Sequence, residues 1–125
     1  MKAPAHVRRL RASLTRLRRA AIEYVSYSHE CWGAGQSRNM HYALIYGRAA
    51  DRRHRRVCYN LKRLCFLSAR DSTLAAVVQK LSAAVQTLLT DTRFYRDYEC
   101  PADIHLGKVL GRIADARAAL REKLS

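Results

Sequence analysis

Leu74-Ala75-Ala76-Val77-Val78-Gln79-Lys80-Leu81-Ser82-Ala83-Ala84-Val85-Gln86-Thr87-Leu88-Leu89 is the stretch that decides the fold. Leu74, Val77, Val78, Leu81, Val85, Leu88 and Leu89 recur at i, i+3, i+4 and i+7, the spacing of one buried face on a helix. Asp71-Ser72-Thr73 precedes it and offers Asp71 or Ser72 as N-cap. The pattern weakens around Thr90-Asp91-Thr92, and residues 93–98 either continue the helix or form a separate turn. Pro101 then suits the first turn of a further helix, with a stripe of Ile104, Val109, Leu110, Ile113, Leu120 and Leu124.

Upstream, residues 7–29 read as a first helix, with Val7, Leu10, Leu14, Leu17, Ala21 and Tyr24 on one stripe. Two glycines in Trp32-Gly33-Ala34-Gly35-Gln36 predict a turn there. Ser37 then caps a second helix running from about Arg38 to Ala69, interrupted only by Gly47. With no alternating strand pattern, no internal repeat and no low-complexity tract, the expected fold class is all-α.

The charge is distributed unevenly along the 125 residues. The chain holds 24 Lys+Arg against 10 Asp+Glu, a formal charge of +14. Residues 1–70 carry 16 of those cations and 3 of the acids, a net +13, while residues 71–125 carry 8 and 7, a net +1. The length fits one small domain. The split reads as a long basic N-terminal helical arm over 1–70, made for a polyanion, joined to a small helical packing domain over 71–125. A second helix of 32 residues would be about 48 Å long, more than so small a domain can bury. Its middle, Asp51-Arg52-Arg53-His54-Arg55-Arg56, is polar all round and must be solvated or lie on a polyanion. The C-terminal half is accordingly expected to be the more independently structured one.

Little points to catalysis. The acids are scattered, and the sequence contains no Gly-x-Ser-x-Gly, no phosphate-cradling glycine loop and no His-Glu-x-x-His. The reading is of a protein that is not an enzyme, with no cofactor and no small-molecule substrate. His54 and Cys58 lie four residues apart with Cys65 beyond them, but a zinc site needs four converging ligands, usually in two close pairs. No metal is expected. Cys31, Cys58, Cys65 and Cys100 show no CxxC spacing and are read as reduced thiols of an intracellular or organellar compartment. No apolar run approaches the roughly 18 residues of a membrane span. The first 22 residues are Arg-rich and free of acids, the pattern of a mitochondrial targeting helix.

The binding candidates are cationic. Arginine outnumbers lysine 19 to 5, and its planar fork suits bidentate phosphate contact. Arg52, Arg53, Arg55, Arg56, Lys62 and Arg63, interleaved with His54 and Tyr59, form the central cluster, extended by Arg38 and Arg48. Arg8, Arg9, Arg11, Arg16, Arg18 and Arg19 form a second. Phosphate neutralisation with stacking on aromatic or guanidinium planes is how RNA is held. Cations surrounding the helix, with no shared apolar face, argue against a helix lying on a membrane.

The order of these features resembles the bacterial-type large-subunit ribosomal protein family numbered twenty, in a divergent mitochondrial form. Gly35-Gln36-Ser37-Arg38 is similar to that family's Gly-x-x-Ser-Arg opening of a long helix, and Asp51 to Arg56 with Tyr59 to its Asp-Arg-Arg-x-Arg-Lys run followed by Phe. Arg63-Leu64-Cys65-Phe66 stands where the family has Leu-Trp-Ile, with Cys65 in place of the tryptophan. Leu74 to Leu89 matches the first helix of the C-terminal domain, and Glu99-Cys100-Pro101 with Ile104 an acid–Pro turn. The resemblance covers roughly residues 35–113. It implies a non-catalytic constituent of the mitochondrial large ribosomal subunit in the mitochondrial matrix, with ribosomal RNA and neighbouring ribosomal proteins as partners. The alternative is a small accessory subunit of a mitochondrial respiratory or ATP-synthase complex.

Overall fold

Leu10, Leu14 and Leu17, the centre of the first predicted stripe, are 2% exposed or less and join a core drawn from all four helices. The computed structural model describes residues 4–93 and 102–124. Its elements are α1 (Ala5–Gln36), α2 (Met40–Ser68), α3 (Ser72–Arg93) and α4 (Ala102–Leu124), an all-α fold. Each helix packs on the next, and α4 returns to α1. Cross-helix contacts fix the antiparallel course. Arg117 donates to the Thr15 hydroxyl at 3.3 Å, His29 lies 3.5 Å from Asp103, and Lys123 pairs with Asp71.

The stripes pack much as their periodicity dictates. In α3, Leu74, Val78, Leu81, Val85, Leu88 and Leu89 are buried and Val77 half-buried. Asp71 is the N-cap, its Oδ1 accepting from the N–H groups of Thr73 and Leu74 at 3.1 and 3.2 Å, and the helix runs on through Thr90-Asp91-Thr92. In α4 the buried set is Val109, Ile113, Ala116 and Leu120. Ile104 and Leu124, expected on that stripe, are 65% and 42% exposed because they flank the stretch that α1 and α3 cover. Pro101 and residues 94–98 lie outside the described residues.

Three expectations for the N-terminal half are corrected. Gly33 and Gly35 make no turn: they are ordinary helical residues of α1, and neither has a positive φ. The chain reverses at Ser37-Arg38-Asn39, where Asn39 N–H bonds Ala34 O at 2.8 Å and Arg38 N–H bonds Gly35 O at 3.1 Å, the paired closure of a Schellman motif. Arg38, not a glycine, takes the left-handed position at φ 58°. Ser37 is therefore not an N-cap. Its hydroxyl donates back to Gly33 O at 3.0 Å, and Asn39 caps α2 by accepting from Tyr42 N–H at 3.3 Å. Finally, the division at residue 70 does not separate two cores: Val57, Leu61 and Leu64 of α2 share one cluster with α1, α3 and α4. A helix too long for a small domain to bury is accommodated because a second helix of nearly equal length lies along it.

Beyond the His29–Asp103 contact the α1/α2 hairpin continues, α1 for seven more residues to Gln36, about 10 Å. Past the leucine core, aromatic rings and small residues hold it. Tyr27 stacks on Tyr46 at 6.5 Å, Tyr46 on Tyr42 at 6.2 Å, and the Cys31 thiol lies 3.3 Å from Ala43 O. Its outer surface exposes Met40, Leu44 and Ile45.

A single core makes α1 as necessary to folding as α3. Leu17→Ala and Leu81→Ala, both at fully buried positions, should each lower stability by about 2–5 kcal/mol in a urea titration followed by circular dichroism. An unchanged transition for Leu17→Ala would mean that α1 is dispensable to the core. Arg38→Gly, which relieves a side chain from the left-handed region, should instead raise stability by about 0.5–1 kcal/mol in the same titration.

Candidate nucleic-acid interface

Helical spacing sorts the residues of α2 into two faces. Ala50, Val57, Leu61, Leu64 and Ser68 point into the bundle and are buried. Arg48, Arg52, Arg55, Arg56, Tyr59 and Lys62 point outward and are exposed, with Arg63 half-buried at the edge of the same face. Phe66 and Arg70, both exposed, prolong the stripe. From Arg48 to Phe66 it covers about 27 Å. The middle of this helix is thus not polar all round: it carries a buried apolar edge at Ala50 and Val57.

Two members of the predicted cluster turn inward as a consequence. Arg53, with a side chain 18% exposed, donates from Nε to Glu23 Oε2, and its guanidinium carbon sits 5.1 Å over the centroid of the Tyr27 ring. His54 meets Tyr24 edge-on at 5.7 Å. Arg53, expected among the phosphate contacts, is here a strut of the α1/α2 seam. Glu23 is also bonded by Arg19 Nε at 2.9 Å, but that arginine remains 82% exposed. The hydrogen bond from Arg53, reinforced by Arg19, holds the Glu23 carboxyl below its ordinary value despite partial desolvation.

The second cluster lies entirely outside. Arg8, Arg9, Arg11, Arg16, Arg18 and Arg19 are all exposed on α1, and Arg38 is exposed at the turn. Fourteen of the fifteen residues expected at the interface thus stand on the outer surfaces of α1 and α2 or at the turn between them, Arg53 being the exception. On α3, by contrast, Lys80 is the one charged residue between Ser72 and Thr90. Phe66, not among the residues expected there, stands on the same outward face. Its signal was its position seven residues after Tyr59 and four after Lys62, on the outward register.

Other groupings are structural. The Cys58 thiol lies 3.7 Å from His54 Nδ1, and among the described residues no three His, Cys, Asp or Glu side chains converge as metal ligands would. Between α3 and α4 runs an open groove of about 570 Å³ beside Lys80, Thr87, Lys108 and Arg112. At its edge His105 Nε2 lies 2.6 Å from Asp91 Oδ2, tying the two helices together. No described helix is long and apolar enough to cross a membrane. No known protein family, curated protein or solved structure matches the chain.

The carboxylates that brace the fold give it an acid limb of predictable sign. Glu23 and Asp71 are held below their ordinary values of 4.5 and 3.8, first by hydrogen bonds from Arg53 and Lys123 respectively. Their contributions are fully present above those values and disappear as pH falls through the lower, folded-state ones. Glu23→Gln should cost about 1 kcal/mol at pH 7. The Glu23→Gln/Asp71→Asn pair should flatten the fall in Tm between pH 5 and pH 2, read by thermal melts across that range.

Proposed function

We propose that this protein binds RNA without catalysing a reaction, as a structural constituent of a mitochondrial large ribosomal subunit. One observation carries the RNA-binding part: an arginine-rich surface spread over the outer faces of two adjacent helices, on a bundle whose third helix presents almost no charge. Like charges this dense repel one another across water, and a phosphate backbone removes that repulsion while releasing its own counterions. Arg52, Arg55, Arg56, Lys62 and Arg63 on α2, and Arg8 to Arg19 on α1, hold phosphates where RNA segments pack closely. Contacts of this kind set register and affinity but read no sequence. The ribosomal and mitochondrial placement rests on the resemblance over residues 35–113 and on the acid-free, arginine-rich N-terminus.

The hairpin tip supports one further reading. Met40, Leu44 and Ile45 are 70%, 54% and 45% exposed, an apolar surface of the kind that meets a protein neighbour. In a ribosome this neighbour is an adjacent ribosomal protein. In the alternative, an accessory subunit of a respiratory or ATP-synthase complex, it is another subunit. Co-sedimentation separates the two: a ribosomal constituent stays with the large subunit through a moderate salt wash.

The sharper test is the salt dependence of RNA affinity. Replacing Arg52, Arg55, Arg56 and Lys62 by Gln should weaken binding to structured RNAs of unrelated sequence about equally. The slope of log K against log salt should drop by roughly one unit per lost contact, with the melt almost unchanged. Arg53→Gln should do the reverse, lowering Tm while leaving the slope near that of the parent. Coincident slopes for the parent and the four-fold variant would sink the proposal.

A further inference from the structure

We propose that the outer face of α2 takes unpaired nucleotides: Tyr59 and Phe66 are stacking platforms for bases of a single-stranded or looped RNA segment whose phosphates the neighbouring cations hold. This deepens the RNA-binding reading above and rests on it.

Exposure is the first reason. Tyr59 is 63% and Phe66 81% exposed, Phe66 more than any other large apolar side chain among the described residues. Neither ring contributes to the core, so neither is there to hold the helix down. The second reason is that both rings are bare. Tyr24, Tyr27, Tyr42 and Tyr46 each meet another ring, and Arg53 caps Tyr27. Among the described residues Tyr59 and Phe66 have no such ring or guanidinium contact. Their π-faces meet water, although five cations stand within one helical turn along the sequence.

Register and spacing supply the third reason. Seven residues is almost two helical turns, so the rings share one face about 10.5 Å apart along the axis. Successive stacked bases of a DNA strand lie about 3.4 Å apart, so the rings are about three such steps apart and each can take a different base of one strand. They suit bases splayed from a strand, one at each ring. Cations flank both positions at one helical turn: Arg55, Arg56, Lys62 and Arg63 around Tyr59, and Lys62, Arg63 and Arg70 around Phe66. That alternation offers a single strand what it presents, a charged backbone and π-faces together. An apolar protein surface would have to desolvate those cations to reach the rings, and a bilayer would meet two isolated rings in a cationic stripe instead of a continuous apolar face. Neither aromatic side chain carries the paired donors and acceptors that read a base edge, so the preference is for unpaired over paired RNA, not for a sequence.

The full-length protein tests this by fluorescence anisotropy with a labelled uridine 16-mer and a labelled 16-base-pair RNA duplex, each titrated at several salt concentrations. Tyr59→Leu/Phe66→Leu keeps the helix and the charge but removes the π-faces. It should weaken single-strand binding tenfold or more, given about 5- to 150-fold per lost stack. Duplex affinity should stay within twofold and the salt slope should not change. Tyr59→Phe/Phe66→Tyr should restore single-strand affinity. Equal losses on both RNAs, or none on either, would overturn the stacking role while leaving the RNA-binding reading intact. Failure of the parent protein to bind either RNA would overturn both. Selective loss of binding to vesicles containing anionic lipid, with RNA affinity untouched, would assign the rings to a membrane surface and overturn the proposal.

Discussion

The seam of Leu10, Leu14 and Leu17 in α1, packed into one cluster with Val57 and Leu64 of α2, Leu81 and Val85 of α3 and Val109 and Ile113 of α4, is the constraint on which the other features depend. Six arginines share the first two-thirds of α1 with those leucines. Burial of the leucine stripe fixes the rotation of the helix about its axis, and with it the direction of every arginine. An exposed guanidinium costs little in water, whereas an unpaired buried one costs far more than a leucine gains. The apolar stripe and the cationic surface are two consequences of one choice of helix rotation.

Glu23 shows what happens where that rule is bent. It is the first acid in the chain, and its two oxygens face Arg19 and Arg53. Arg53 leaves the outer surface because it finds both a carboxylate and the Tyr27 ring at the seam, which together replace the water it gives up. From there to the turn the hairpin has no leucine core, and stacked tyrosines with the close approach at Cys31 and Ala43 take over. The turn closes on Arg38 in a conformation that favours glycine, while the nearby glycines lie within the helix.

For binding, the consequence is a rigid display. Arginines on a solitary disordered arm would pay for ordering when they met a polyanion; on a packed helix much of that cost falls in folding. Arg48, Arg52, Arg55, Tyr59, Lys62 and Phe66 follow one another at three- and four-residue steps along a stiff rod. A phosphate-binding surface of this kind, as proposed above, would be tolerant of sequence and sensitive to salt.

Periodicity is a local property, and what depends on it was legible in the chain. The all-α class, the leucine and valine stripes of α1 and α3, the Asp71 cap and the concentration of cations before residue 70 follow from residues within a few turns of one another. The placement of Arg53 does not, because the Glu23 and Tyr27 that draw it inward lie about thirty residues away. Nor does the joining of the basic half to the neutral half in one core, which requires knowing that α1 supplies the long partner α2 needs. The Trp32–Gln36 segment misleads for a related reason. Glycine lowers helix propensity, but packing against α2 outweighs a cost of about 1 kcal/mol per residue. Sequence determined which residues want water and which do not; only tertiary structure decided which cations face outward together, because that depends on helices that meet through space.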